Sequence, residues 1–243
     1  MHTQENRVRS FWKAVWSDFQ LMLVALAAII FVFSAVNLVY RDFYTPNPVF
    51  EILGTSSTTP WGIVTSLFVH VSLGHISGNV FGLIYFFCWF FATSILLSRS
   101  ERRTRALAFV IIVFLAAILA NALWIIRAPQ EKSVGASGMV YAAEGATLGF
   151  ALFNLLRIIW PNASKYRQYS REKRKDFLIF SIFNAGFLIY FIGTYSNPAA
   201  FLNLAPGVNV FVHYVSFVAG FFVAILWWEK RVRSERSLSD SMF

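Results

Sequence analysis

The sequence predicts an all-α membrane protein: a bundle of six transmembrane helices with both chain ends in the cytoplasm. Three observations carry this. Apolar residues make up 57% of the chain, above the roughly 45–50% typical of soluble domains. Charged residues are only 14%, and they bunch into short stretches. The uncharged runs left between them approach the ~20 residues that a helix needs to cross ~30 Å of hydrocarbon. Finally, the basic residues alternate by side. With the N-terminus placed inside, 18 of the 21 Lys and Arg residues fall on the cytoplasmic side, and only Arg41, Arg127 and Lys132 fall outside. That asymmetry is the positive-inside pattern.

Taken in order, the first span is residues 19–40. A Pro-, Thr- and Ser-rich stretch follows. Residues 61–97 then contain no Lys, Arg, Asp or Glu, which is too long for one upright crossing. Divided near His70, this run gives a short interfacial segment from Trp61 and a second span at 71–97. The later spans are 106–126, 137–156, 177–195 and 208–228, each close to one crossing at ~1.5 Å rise per residue. The expected organisation is a cytoplasmic segment 1–18, a six-span domain 19–228 and a cytoplasmic tail 229–243. Residues from 234 onward are expected to be polar and mobile, and 157–176 to be a basic loop within reach of anionic headgroups. The first run is long and lacks a small-residue cleavage site, so it is not a cleavable signal. A net charge of +9 raises nucleic acid as a partner, but the basic residues flank apolar runs, as topology requires. Cys88 is the single cysteine, so no intrachain disulfide forms.

Polar groups inside hydrocarbon are costly unless paired, so their positions are informative. His75 and Asn79 lie early in the second span, Ser137 opens the fourth, and His213 lies one to two turns into the sixth. Even-numbered spans share one direction, so these groups fall in one layer on the outer side. His75, Asn79 and Gly82 share a helix face by their spacing of four and three. Gly138, Ala142, Gly145 and Gly149 form a small-residue stripe on the fourth span, as do Ser216, Gly220 and Ala224 on the sixth. Such stripes let backbones approach closely, which would bring Ser137 beside His213. A serine hydroxyl needs a base to act as a nucleophile, and imidazole suits that task. Gly135 permits a sharp turn into the helix, whose N-terminal N–H groups would face a developing oxyanion. His75 and Asn79 would add donors. Together these are the parts for acyl transfer, and they imply a wet cavity opening outward.

The residues resemble the rhomboid intramembrane serine proteases, over about residues 61–228. His70, His75 and Asn79 follow the family's H-x4-H-x3-N pattern, and Gly135-Ala136-Ser137-Gly138 its G-x-S-G motif. Tyr141 is similar to an aromatic that stacks on the catalytic histidine, and His213 with Gly220 resembles the last helix. The resemblance implies a six-helix rhomboid-like bundle with a Ser137–His213 dyad, no acidic third member and no cofactor or metal. It implies an oxyanion site from His75, Asn79 and the Ser137 N–H. It also implies single-span membrane-protein substrates cut near their outer end, with the fifth span and residues 193–207 as the gate. A multi-pass location in the plasma membrane goes with this reading. Three positions depart from the pattern. Gly62 stands where the family often has arginine, which bears on the first outer loop. Ser216 replaces a glycine, and Gly78 replaces a bulkier residue that plugs the substrate side.

Other readings stay open. His70, His75 and His213 could together hold zinc, although no H-E-x-x-H motif is present. A transporter lacks the expected inverted repeat. A catalytically inactive relative that binds membrane proteins would have lost its serine or histidine. Glu144, an intramembrane carboxylate, is either a proton relay or a local hydrogen-bonding partner. His70 is expected to be structural or interfacial, not catalytic.

Overall fold

The computed structural model describes residues 2–39, 48–166, 171–196 and 208–240. Its elements are α1 (His2–Val39), α2 (Pro48–Leu53), α3 (Gly62–Thr65), a 3-10 turn (Ser66–Phe68), α4 (Leu73–Ser94), α5 (Arg99–Arg127), α6 (Ser137–Tyr166), α7 (Arg171–Tyr195) and α8 (Val210–Asp240). Among the described residues there is no sheet, only two isolated bridges. Helices α4 to α8 are each long and apolar enough to span a bilayer, and α1, bent by 47°, makes a sixth. The protein is an integral, multi-pass, six-helix membrane bundle.

Helix α6 is its centre: 67% of its span is buried, against 11% for α7. It packs most closely on α8, and α5, α4 and α7 complete its surround. Lipid is as apolar as leucine, so shape and polar pairing decide which faces meet. Aromatic packing fills the interior on the far side of the bundle from Ser137. Phe90 stacks on Phe109 at 4.1 Å, and meets Phe19 and Phe150 edge-on. Polar pins fix the helix ends there. The Arg105 guanidinium donates to Asn154 Oδ1 (2.6 Å), and the Asn154 amide donates to Asn184 Oδ1 on α7 (2.7 Å). Asp18 of α1 is fully buried and pairs with Arg102 at 2.7 Å. Helix α5 opens with a capping box between Ser98 and Glu101.

Several boundaries differ from expectation. Helix α1 begins well before residue 19. Most of the anticipated basic loop is helical, because α6 continues to Tyr166 and α7 starts at Arg171. The tail is helical to Asp240 rather than loose. Hydropathy marks where hydrocarbon ends, whereas helices of polar residues extend beyond it. The expected gate loop lies, from residue 197 to 207, outside the described residues. The interfacial segment after Trp61 is α3 with its 3-10 turn.

Candidate active site

The chain reaches Ser137 through a tightly knitted outer loop. Thr55 and Ser133 exchange main-chain hydrogen bonds of 2.9 and 3.1 Å. The Thr55 hydroxyl donates to Ser66 Oγ, which also accepts from the Asn121 amide of α5. The Gly135 N–H donates to the Ser66 carbonyl at 2.9 Å. Gly62 has a reason to be glycine here: a Cβ would overlap the main chain of Gly54 and Thr55. An arginine has no room in this loop, so the departure at that position is built into its packing.

Gly135 adopts φ 119°, a conformation open to glycine and strained for other residues. It turns the chain into α6, whose first residue is Ser137. The Ala136 carbonyl accepts the N–H groups of Met139 and Val140. The Ser137 N–H stands at the helix start, where donors lack intrahelical partners. The Ala136 N–H donates to His70 Nε2 at 3.4 Å. His70 is buried, and burial together with the neighbouring His75 pushes its pKa down to about 3. The imidazole is therefore neutral and serves as an acceptor that steadies the residue before Ser137. Sequence reading gave His70 a structural role, which fits this placement.

The seam between α6 and α8 is backbone against backbone. A Cβ on Gly149 would lie 2.7 Å from the Phe221 carbonyl oxygen, and one on Gly138 would lie 3.1 Å from Ser216 Oγ and 3.2 Å from Val212 Cγ1. Gly145 abuts the Phe217 carbonyl and Gly220 that of Ala142. Both small-residue stripes thus meet, and the first turn of α6 rests on Val212 and Ser216, which flank His213 in sequence. His213 is 4% exposed. Its ring stacks on Tyr141, one turn below Ser137, with centroids 4.2 Å apart and planes 18° apart. Among the described residues no hydrogen bond joins Ser137 to His213.

Helix α4 presents His75, Asn79 and Gly82 to the same place. Its N-cap, Ser72, accepts from the His75 N–H. The His75 ring lies over Gly135, with Cε1 2.6 Å from where a Cβ would stand, and Gly82 packs on Val140. The His70 and His75 rings meet edge-to-face at 5.1 Å. Asn79 is buried, and its Nδ2 has no protein partner. The same holds for Nδ1 of His75 and of His213. Buried polar atoms left over at this end of α6 suit a polar ligand. Among the described residues no three His, Cys, Asp or Glu side chains are placed to share a metal ion. Gly78 faces open space.

Two contributors were not singled out in the sequence. Asn209 accepts from the Val212 N–H and donates to Ser133 Oγ at 2.9 Å. It caps the helix that carries His213 and ties it to the segment leading into Ser137. An asparagine just before an apolar run was its available signal. Ser66 joins α5 and the Gly135 turn, without any local pattern to announce it. Glu144 is buried two turns below Ser137, and its carboxyl hydrogen-bonds the Tyr195 side chain of α7.

Residues 57–230 match the Rhomboid domain family. No curated protein and no solved structure gives a significant match to the chain. The family match covers well over half of the chain and takes in α3 to α7 and the membrane-spanning part of α8, and this chain belongs to the rhomboid family.

Proposed function

We propose that the protein is an intramembrane serine endopeptidase that cuts membrane-spanning substrates near the outer end of their span. The observation that carries this is the seating of the first turn of α6 on the residues flanking His213, with His213 held by Tyr141 and the His75 ring laid over Gly135. On this reading His213 takes the proton from Ser137 Oγ as that oxygen attacks the scissile carbonyl carbon. The Ser137 N–H, His75 and Asn79 stabilise the oxyanion. His213 then protonates the leaving amine, and water releases the acyl-enzyme by the reverse use of the same base. On this reading the protease domain is residues 19–228 and the site lies in the outer half of a plasma membrane; the excess of Lys and Arg on one side supports both ends lying in the cytoplasm.

The decisive experiment is labelling with a fluorophosphonate probe alongside cleavage of a single-span substrate. The wild type is expected to be modified at Ser137. Ser137→Ala and His213→Ala should each lose cleavage while retaining the melting behaviour of the wild type. A wild-type protein inert to the probe, or robust cleavage by Ser137→Ala, would favour an inactive membrane-protein binder or a different chemistry.

A further inference from the structure

We propose that Arg99 and Arg103, at the opposite end of the bundle from Ser137, form a binding site for one anionic phospholipid. Three guanidiniums converge there on a single carboxylate. Asp18 is fully buried, and Arg102 takes most of it. Its Nε and a terminal nitrogen reach Oδ2 at 3.2 and 2.7 Å, and its other terminal nitrogen donates to the carbonyls of Ile95 and Leu97. Arg102 is only 6% exposed and is committed to the protein. Arg99 and Arg103 reach Oδ1 through Nε, at 3.0 and 3.2 Å, and both side chains remain 58% exposed. One negative charge cannot neutralise three positive ones. The sole acid among residues 98–105 is Glu101, and its Oε2 accepts from Ser98 N–H and Oγ. On α1, Lys13 lies five residues before Asp18 and is exposed. The cluster therefore keeps a net positive charge, and two guanidinium forks one helical turn apart suit a phosphate.

The apolar surroundings identify the occupant as a lipid. The row begun by Arg99 and Arg103 continues at the same four-residue spacing through Leu107, Ile111 and Leu115, all exposed. Residues at that spacing form a continuous ridge on a helix. Its basic head and aliphatic body match the headgroup and acyl chain of an amphiphile. On α1, Trp12 and Trp16 are exposed within the two turns before Asp18, and tryptophan at such a level marks the membrane interface.

The test uses the full-length protein in neutral detergent, titrated with phosphatidylglycerol, phosphatidylcholine, inorganic phosphate or a poly-glutamate peptide. Bound lipid is counted by native mass spectrometry, and thermal stability is followed in parallel. One phosphatidylglycerol should bind with a rise in Tm, and the other three should not reproduce it. R99Q/R103Q should weaken that binding at least tenfold, whereas K173Q/K175Q, which removes the same charge elsewhere, should not. If R99Q/R103Q folds poorly, Leu107→Gln, with both arginines intact, should weaken phosphatidylglycerol binding on its own. Equal affinity in all variants would overturn the proposal. So would phosphate binding as tightly as lipid, or the acidic peptide competing as well as phosphatidylglycerol.

Discussion

Replacing Gly145 with alanine should destabilise the protein by about 1–3 kcal/mol, the usual range for forcing extra volume into a packed interface. In a typical helix the same change favours folding by roughly 0.5–1 kcal/mol, so the structure reverses the sign. A Cβ at Gly145 would stand 3.0 Å from both the Phe217 carbonyl carbon and the Phe221 nitrogen, and nearer still to the Phe217 oxygen. These are main-chain atoms, and no rotamer change moves them. Optimal heavy-atom contacts lie at ~3.5–4.0 Å, and the Phe217 oxygen is the closest obstacle, so α6 and α8 must part by upwards of ~1 Å. Ser137 and His213 sit on those two helices, and a misplacement of ~1 Å between reacting groups is enough to slow catalysis ~100-fold. Gly186 on α7 is the control: nothing lies within 4 Å of its Cβ position. Gly186→Ala should therefore gain about 0.4–1 kcal/mol and keep full activity. Denaturant unfolding in micelles and initial rates on a fluorogenic single-span substrate would measure both. A Gly145→Ala protein as stable and as fast as Gly186→Ala would refute the backbone-contact account of the seam.

Gly135→Ala should lose fluorophosphonate labelling and about 1–3 kcal/mol of stability, because a side chain there both strains φ 119° and meets the His75 ring. Asn209→Ala removes a helix cap and the bond to Ser133, and should lower stability by about 0.5–2 kcal/mol; Asn209→Asp, which keeps the capping oxygen, should recover part of that in a thermal melt. His70 supplies a pH dependence. Its pKa is about 3 in the fold against an ordinary 6.5. Below 6.5 the unfolded chain binds a proton that the folded chain refuses, so stability present above 6.5 is lost as pH falls toward 3. Melting between pH 7.5 and 4.5 should show that slope, and His70→Asn should flatten it; an unchanged slope would remove His70 as its source.

Much of this was legible in the sequence because bilayers impose simple rules. Runs without charge located the spans, and four-residue spacing of Gly, Ala and Ser located the α6–α8 seam to the residue. Sequence spacing also put His75, Asn79 and Gly82 on one face, and that face does meet α6. What stayed hidden depended on distance in space. Asp18 finding Arg102, 84 residues away, follows from the docking of α1, which no local pattern encodes. The need for Gly62 arises from the close pass of Gly54 and Thr55. Helix α8 continues past the membrane to Asp240 although hydropathy stops near Trp228. Glu229 and Arg233, four apart, have the charge order that favours a helix in water, and a hydropathy scale does not register it.

The joint between α6 and α8 has a mechanical consequence. Side-chain contacts absorb distortion by changing rotamer, but two main chains in direct touch have no torsion to spare. When a bilayer thins or thickens, helices answer by tilting, and these two must tilt as one piece. The spacing between the fourth-span serine and the sixth-span imidazole is thereby insulated from lipid composition. Helix α7, shallowly packed and held by side chains such as Asn184 and Phe187, is the part of the bundle that membrane thickness is free to move.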